Sequence, residues 1–307
     1  MDRPVDGTPP GSGLQDRPSA PDLHGPDADP LLGGRRALSA AKNELRICWI
    51  DGRIAPIEQA VVRADDSAYS EGRGCYTTAR IVAGRARWID RHAARLSRSA
   101  SQLGLGDLEE DRVRTAIREL ASKAFGDGDG IVRMQASRDG DGIVHLVGVP
   151  RRLGDEPDQW SAILVDLPHT GGGLARGLKV SSRLTMALAG DAAREAGVEE
   201  ALLLDGNGWL VEGSRSNILV VADADTLVTP PLSLGAVAGL ARTLVLERVP
   251  SIVERAVSAE ELRSAKEIIA VNALRGARPI TKLDGKPIGD GAAGAWSKRL
   301  SEVLEAD

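Results

Sequence analysis

The chain has 307 residues, of which 42% are hydrophobic and 27% are charged, as is typical of a folded globular protein. Its 39 lysines and arginines stand against 44 aspartates and glutamates, and the net charge of −5 gives no general attraction to nucleic acid or to an anionic membrane. No stretch approaches the roughly 20 apolar residues that cross a bilayer, and the N-terminus lacks a secretory-signal pattern. Because Cys48 and Cys75 are the only cysteines, we expect neither a disulfide scaffold nor a cysteine metal site, and we expect a cytoplasmic protein.

The first half of the chain predicts a disordered tail followed by a small α+β domain. Residues 1–45 are rich in proline and poor in apolar residues, so they cannot form a core. Order is predicted to begin with a strand over 47–50 that runs into a hairpin turn at Asp51-Gly52. The pattern then predicts a strand over 74–81, a helix capped by Asp90 with an apolar stripe from Ala93 to Leu103, a helix over 111–125, and paired strands over 131–137 and 143–149. We assign this domain to residues 46–150.

The second half predicts a larger domain over 159–307, joined by a linker over 151–158. Strands and helices are mixed, which places the whole chain in the α+β or α/β class. The predicted elements are strands over 162–167, 201–204, 209–212, 217–221, 267–271 and 278–283, a glycine loop at 171–173, a short strand ending near Lys179, and helices over 183–196, 237–248 and from about 293.

Lys179 is the first residue with chemical potential, since it lies at the end of an apolar stretch and just before a predicted helix. It is one of seven lysines beside 32 arginines. A lysine amine has an ordinary pKa of about 10.4, so it becomes a nucleophile or base at neutral pH only where burial or a nearby cation disfavours its charged form. The alternative interpretation is a solvent-exposed lysine at a strand end.

Three further features could bind a ligand. Glu212 ends a predicted strand and could hold a cationic ring nitrogen, although a turn carboxylate is the other interpretation. The small residues of GAVAGLAR at 235–242 could bring phosphate to a helix N-terminus, or could serve packing alone. Arg95 lies at the edge of the apolar stripe of its helix, where a solvated arginine is equally typical. The scattered histidines predict no metal site, no G-x-G-x-x-G motif directly follows a predicted strand, and neither a P-loop nor a G-x-S-x-G motif is present.

Taken in order, these pieces resemble the fold-type IV, or class IV, family of pyridoxal 5′-phosphate enzymes. This family includes aminodeoxychorismate lyase, branched-chain aminotransferase and D-amino acid aminotransferase. The resemblance covers roughly residues 47–300 and rests mainly on LKVSSRL at 178–184, EAGVEEALLLD at 195–205 and EGSRSN at 212–217. It implies the two-domain fold of D-amino acid aminotransferase, pyridoxal 5′-phosphate as cofactor, a small-molecule substrate and a homodimer.

The resemblance also implies roles for individual residues. Lys179 would be the Schiff-base lysine and the proton-transfer group, and Glu212 would keep the pyridine nitrogen protonated. Arg95 in HAARL at 92–96 would bind the phosphate together with the backbone amides of Leu240 and Ala241. The family often has threonine where Ala241 stands, so one hydroxyl contact to phosphate should be missing. Asn272 would also lie beside the cofactor.

Within the family, GCYTTAR at 74–80 resembles aminodeoxychorismate lyase, which implies that Tyr76 binds substrate and that Thr78 lies near the Schiff-base lysine. Asn272-Ala273-Leu274 also favours the lyase. The implied substrate is a dicarboxylate, and Arg138 is predicted to bind one carboxylate. Arg133 is the less favoured candidate, because residues an odd number of positions apart in a strand project to opposite faces.

Two alternatives remain open at this point. The first is an aminotransferase acting on D- or branched-chain amino acids, which would share every cofactor residue. The second is a binding module that keeps the fold without turnover, since Glu71 and Arg73 stand where the family usually has an aromatic residue and an aspartate. The presence of both Lys179 and Glu212 argues against this second alternative.

Overall fold

The chain forms two sheets, one in each half, and burial alternates along several strands of the first sheet. The computed structural model describes residues 45–169, 175–221 and 226–306, and within these ranges the strands form a six-stranded and a nine-stranded sheet. The predicted disordered tail falls almost entirely on residues 1–44, which lie outside the described residues, and so does the predicted glycine loop at 171–173.

The first sheet is antiparallel throughout, in the order β2-β1-β6-β5-β3-β4. Its strands are β1 (Ile47–Ile50), β2 (Arg53–Pro56), β3 (Cys75–Val82), β4 (Arg85–Ala86), β5 (Gly130–Arg138) and β6 (Val144–Arg151). The helices of this half are α1 (Ser67–Ser70), α2 (Ile89–Gln102) and α3 (Glu110–Phe125). Leu96 of α2 and Ile117 and Leu120 of α3 pack against Met134 and Leu146 of the sheet, and burial of this apolar surface stabilises the half.

The second sheet is mixed, in the order β12-β11-β10-β13-β14-β7-β8-β9, with β15 pairing with β14. Its strands are β7 (Trp160–Val165), β8 (Glu200–Leu204), β9 (Leu210–Gly213), β10 (Asn217–Val221), β11 (Leu227–Thr229), β12 (Val253–Glu254), β13 (Glu267–Asn272), β14 (Gly276–Leu283) and β15 (Lys286–Pro287). The helices are α4 (Leu184–Glu195), α5 (Leu240–Arg248), α6 (Ala259–Ser264) and α7 (Ala295–Glu305).

Both faces of this second sheet are covered by apolar side chains, as expected for a sheet with helices on both sides. Leu262 of α6 packs with Trp160 and Ile268 on one face. Leu244 of α5 and Leu300 of α7 pack on the other face. Within the described ranges, none of the helices combines the length and apolar character needed to cross a membrane.

Three predicted boundaries are wrong, each because a tertiary contact intervenes. Asp90 does not cap α2, because Trp88 takes that position with φ of 52° and the helix begins at Ile89. Asp90 therefore lies in the first helical turn, where its carboxylate accepts a hydrogen bond from Arg114 at 2.7 Å. α5 begins at Leu240 rather than at 237, because the Val237 amide donates to the Glu212 carboxylate at 3.0 Å instead of entering the helix.

The third correction concerns the segment that carries Lys179, which is extended but is not a regular strand. Cys75 forms an isolated bridge with Val180, and Gly177 forms another with Val237. One bridge joins the segment to the first half of the chain and the other joins it to the second half. Lys179 is therefore held between the two sheets.

Candidate active site

Lys179 is fixed by backbone hydrogen bonds on both sides of its segment. The Tyr76 amide donates to the Lys179 carbonyl at 2.9 Å, and the Ser181 amide donates to the Gly74 carbonyl at 2.8 Å. On the other side, the Ala238 amide donates to the Gly177 carbonyl at 2.9 Å. The amine of Lys179 consequently projects from a fixed backbone into the cavity between the two sheets.

The electrostatic surroundings of Lys179 favour a neutral amine. Burial lowers the pKa of Lys179, and the positive charges of Arg95 and Arg183 act in the same direction. The Tyr76 hydroxyl opposes this effect through its charge and its hydrogen bond. A lowered pKa increases the fraction of unprotonated amine at any given pH, and only that form is a nucleophile or a base.

Tyr76 is surrounded by cations. The Arg133 guanidinium lies 3.9 Å from the centroid of its ring, the Lys179 amine 4.6 Å and the Arg183 guanidinium 5.3 Å. Burial alone would raise the pKa of Tyr76, but Lys179, Arg183 and Arg133 together lower it below its ordinary value. Within the described part of the chain, neither Arg133 nor Arg183 forms a salt bridge with an acidic residue.

Glu212 is the buried carboxylate of the cavity. It ends β9, and its Oε2 accepts hydrogen bonds from the Val237 amide at 3.0 Å and from Asn217 Nδ2 at 3.4 Å. Its Oε1 lies 3.2 Å from His169 Nε2. Glu212 is thus oriented by three neighbours and retains acceptor capacity, because a carboxylate offers about four lone-pair positions.

Arg95 lies at another edge of the cavity and belongs to a buried hydrogen-bond chain. Its Nη2 donates to Thr77 Oγ1 at 2.6 Å, and Thr77 Oγ1 lies 2.6 Å from His92 Nδ1. Arg95 Nε has no hydrogen-bond partner among the residues described. Burial lowers the pKa of Arg95 to about 10. A buried guanidinium with an unused donor is suited to an anionic ligand.

The N-terminus of α5 also lines the cavity, through Gly239 and Leu240. Gly239 occupies the cap position and contributes no side-chain hydrogen bond. The amides of the first helical turn cannot be paired by the helix itself, and the helix dipole favours an anion there. The amide of Ala241 belongs to this turn, whereas its side chain packs in the apolar cluster beneath the helix.

The cavity has a volume of about 720 Å³ and brings together most of the residues singled out in the sequence. Its lining includes Tyr76, Thr78, Arg95, Lys179, Glu212, Leu240 and Asn272. Arg138 does not line it: this residue is exposed at the end of β5, and its Nη1 donates to the Gly104 carbonyl at 3.4 Å. Arg133 does line it, so the alternation along β5 was predicted correctly but the wrong face was assigned to the cavity.

Sequence reasoning missed two contributions to this site. His169 is one of four scattered histidines in the sequence, and no motif marks it as the neighbour of Glu212. Arg183 lies in LKVSSRL at the start of a predicted helix, and its position four residues after Lys179 is the signal that could have placed it in the same cavity. Among the residues that the structure describes, no group of histidine, cysteine or acidic side chains could hold a metal ion.

Comparison with known proteins assigns the chain to a family. Residues 74–283 match the model of the amino-transferase class IV family. The chain belongs to this class IV family, which confirms the predicted fold and pyridoxal 5′-phosphate as its cofactor.

Several individual proteins are similar to the chain. D-alanine aminotransferase of Bacillus licheniformis is 27% identical over 83% of this chain and 94% of its own length. A bifunctional aminodeoxychorismate lyase / D-amino acid transaminase of Mycobacterium tuberculosis is 30% identical over 60% of this chain and 71% of its own length. The solved branched-chain aminotransferase of Thermoproteus uzoniensis is 24% identical, with a TM-score of 0.75 over 84% of this chain and 93% of that one.

The groups around the cavity fit the family's cofactor. A phosphate requires cationic and N–H donors, which Arg95 and the first turn of α5 provide. A pyridine ring nitrogen requires a carboxylate, and Glu212 is the buried one of this cavity. The cofactor's carbonyl carbon requires a neutral amine, and burial lowers the pKa of Lys179 accordingly.

Proposed function

We propose that the chain is a pyridoxal 5′-phosphate-dependent lyase that converts 4-amino-4-deoxychorismate to 4-aminobenzoate and pyruvate. The observation that carries this proposal is that Arg133, Arg183 and Lys179 all lie close to the ring of Tyr76. The substrate carries two carboxylates. Arg133 Nη2 donates to the neutral Gln135 Oε1 at 3.2 Å, and neither guanidinium pairs with an acidic residue in the described ranges. A cavity with two such cations beside the reactive amine favours a dianion over a simple amino acid.

Other arginines of the cavity contrast with this pair. Arg215 and Arg275 both contact the carboxylate of Glu156, at 2.7 and 3.2 Å, so their charge is largely compensated within the chain. Arg133 and Arg183 have no such acidic partner in the described ranges. Their positive charge is therefore available to a substrate. We assign them the carboxylate-binding role that the sequence had suggested for Arg138.

In this proposal Lys179 is both the attachment point and the base. Its amine would hold the cofactor covalently, and once released it would remove the proton from the substrate ring. Glu212 keeps the ring nitrogen protonated, and Arg95 with the amides of Leu240 and Ala241 holds the phosphate. The bound cofactor supplies the electron sink that carbanion chemistry requires. Loss of pyruvate leaves an aromatic ring, which drives the reaction forward.

Thr78 and Asn272 support the lyase within this scheme. Both line the cavity with Lys179, as the resemblance implies for the lyase. We assign Thr78 to the neighbourhood of the reacting amine and Asn272 to the cofactor side. Asn272 Oδ1 already accepts hydrogen bonds from the amides of Leu274 and Arg275, at 3.0 and 2.8 Å, so its orientation is fixed before any ligand binds.

A second candidate is a D-amino acid aminotransferase. It is favoured by the similarity to D-alanine aminotransferase, which extends over 83% of this chain, and by the bifunctional relative whose name combines both activities. The cofactor residues would be the same in either case. Only the residues that meet the substrate, Arg133 and Arg183 among them, would distinguish the two.

A product assay separates the candidates. Protein loaded with pyridoxal 5′-phosphate is incubated with 4-amino-4-deoxychorismate, and 4-aminobenzoate and pyruvate are measured by chromatography. We expect the wild type to form 4-aminobenzoate and pyruvate in equal amounts. The surface control Lys298→Ala should do the same, and Lys179→Ala should form neither product. No product from wild-type protein that still transfers the amino group of D-alanine to 2-oxoglutarate would contradict the lyase and establish the aminotransferase.

The proposal includes a homodimer in the cytoplasm. The homodimer follows from the resemblance to the class IV family, and Val61, Val62, Tyr69 and Leu184 are exposed large apolar side chains that a partner subunit could cover. Light scattering coupled to size-exclusion chromatography should give twice the chain mass of 32.3 kDa. A mass of one chain at micromolar concentration would contradict the dimer.

A further inference from the structure

Glu200 is a fully buried carboxylate that the proposed reaction does not use. It begins β8, and its Oε1 accepts hydrogen bonds from Ser214 Oγ at 2.6 Å and from the Ala201 amide at 3.0 Å. Its Oε2 accepts a hydrogen bond from Ser216 Oγ at 2.5 Å. Burying a carboxylate is costly unless its oxygens are satisfied, and here two serine hydroxyls of one loop satisfy them.

The loop lies directly on this carboxylate. A Cβ atom on Gly213 would stand 2.8 Å from Glu200 Oε2 and 2.7 Å from Ser216 Oγ, which is closer than real Cβ atoms approach. Only glycine permits the backbone to approach the carboxylate so closely. The Gly213 amide also donates to the Ser216 carbonyl at 2.8 Å, so the loop is closed on itself over Glu200.

The whole EGSRSN segment lines the cavity, and Glu212 and Asn217 stand at its two ends. Glu212 precedes Gly213, and Asn217 follows Ser216. Asn217 Nδ2 donates to the Val237 carbonyl at 2.9 Å as well as to Glu212 at 3.4 Å. Glu200 therefore holds a segment of the cavity wall from behind: Ser214 and Ser216 donate to its carboxylate, and Glu212 and Asn217 flank them.

We propose that Glu200 is a positioning residue that clamps the 213–216 loop and thereby fixes the carboxylate of Glu212 toward the cofactor's ring nitrogen. The inference rests on the role proposed above for Glu212, which the lyase and the aminotransferase share. It is independent of the substrate. Without the clamp, Glu212 would have to be ordered when the cofactor binds, and that ordering reduces affinity.

The test compares the double variant Ser214→Ala/Ser216→Ala with Ser297→Ala as a matched control. Ser297 is a buried serine of α7 whose hydroxyl also donates one hydrogen bond, to the Gly294 carbonyl at 2.9 Å, and it lies outside the cavity. The readouts are the dissociation constant of pyridoxal 5′-phosphate and the pH dependence of the visible absorption of the loaded protein. Glu212→Gln serves as the reference for a lost ring-nitrogen partner.

We expect the double variant to bind the cofactor about tenfold more weakly and its pH dependence to move toward that of Glu212→Gln. Ser297→Ala should keep both wild-type values. The conservative Glu200→Gln variant, which retains one acceptor oxygen, should fall between wild type and the double variant. Because Ser214 and Ser216 line the cavity and Glu200 does not, wild-type values in Glu200→Gln beside a weakened double variant would also overturn the proposal. The opposite result is a double variant that keeps the wild-type cofactor affinity and pH dependence and shows only a lower melting temperature. That result would mean that Glu200 has a structural role alone, and it would overturn the proposal.

The reference variant separates two kinds of failure. If Glu212→Gln itself matches the wild type in both readouts, the role of Glu212 is wrong and the inference falls with it. If Glu212→Gln departs from the wild type while the double serine variant does not, only the clamp is wrong. The lyase assay is not needed for either conclusion.

Discussion

Lys179 and Tyr76 are joined through both backbone and side chain. The Tyr76 amide donates to the Lys179 carbonyl at 2.9 Å, and the Lys179 amine lies 4.6 Å from the centroid of the Tyr76 ring. The backbone contact fixes where the amine is, and the side-chain contact influences its protonation. This pairing places the proposed base beside the two arginines that we assign to substrate binding.

Tyr76→Phe tests the electrostatic half of this relationship. Burial lowers the pKa of Lys179, and the Tyr76 hydroxyl is the group that opposes the effect. Removing the hydroxyl while keeping the ring should therefore lower the pKa of Lys179 further. The pH at which cofactor attachment to the apoprotein is half-maximal should move downward. A shift to higher pH would show that the hydroxyl does not support the charged amine.

Arg133→Gln and Arg183→Gln test the substrate assignment. Each change removes a charged donor to a carboxylate, so KM for 4-amino-4-deoxychorismate should rise by about tenfold to a hundredfold, with a smaller change in kcat. Arg263→Gln, on the exposed face of α6, is the surface control. Cofactor affinity should not change in Arg133→Gln, because Arg133 is not among the groups that shift the pKa of Lys179. An unchanged KM in both Arg133→Gln and Arg183→Gln would contradict their role in substrate binding, which is the main support for the lyase.

His169→Gln tests the neighbour of Glu212 that the sequence did not reveal. His169 Nε2 lies 3.2 Å from Glu212 Oε1, and losing a partner of a buried carboxylate costs affinity for any ligand that needs its orientation. We expect pyridoxal 5′-phosphate to bind roughly fivefold to tenfold more weakly. His145→Gln, outside the cavity, is the control. Equal cofactor affinity in both variants would contradict a positioning role for His169.

His145 itself predicts a pH dependence of stability. It bridges Asp51 at 2.7 Å and Asp139 at 3.0 Å, and the hydrogen bond with Asp51 is the largest cause of its raised pKa. Its pKa in the folded state is above the unfolded value, so its contribution is complete below the ordinary value of 6.5 and is lost as pH rises through the folded pKa. The side chain is partly exposed, so the contribution is a fraction of about 1 kcal/mol.

The measurement is the melting temperature of wild type and His145→Gln between pH 5 and pH 9, as an approximate range around the histidine pKa. The wild type should be the more stable protein on the acidic side, and the difference should narrow as the pH rises. A difference that grows with pH would mean that His145 is held neutral in the folded protein.

The strands and most helices could be predicted from the sequence because local pattern determines them. β1 and the Asp51-Gly52 turn follow from apolar alternation and turn chemistry, and φ of 45° and 101° at these two residues agrees with the predicted hairpin turn. Pairing of β5 with β6 follows from the same alternation. The start of α5 could not be predicted from local pattern, because the Val237 amide donates a hydrogen bond to the carboxylate of Glu212, which is 25 residues away in the chain.

The site could be predicted only in part, for a similar reason. Lys179, Glu212 and Arg95 lie in motifs, so resemblance pointed to them, and the cavity brings them together. Alternation along β5 correctly separated Arg133 from Arg138, but which face meets the second sheet is decided by packing between the halves. His169 has no motif of its own. Glu200 could not be singled out from the sequence either, because its proposed role depends on hydrogen bonds from Ser214 and Ser216, which follow the neighbouring strand β9.

The central claim is that the cofactor is attached to Lys179, and the most direct test is to trap the attachment chemically. Loaded protein is reduced with borohydride, digested, and mapped by mass spectrometry. The account predicts that the pyridoxyl mass is carried by the peptide containing Lys179 and is absent from the peptides of Lys123, Lys266 and Lys282. Attachment at another lysine, or no attachment in protein that binds the cofactor, would contradict it.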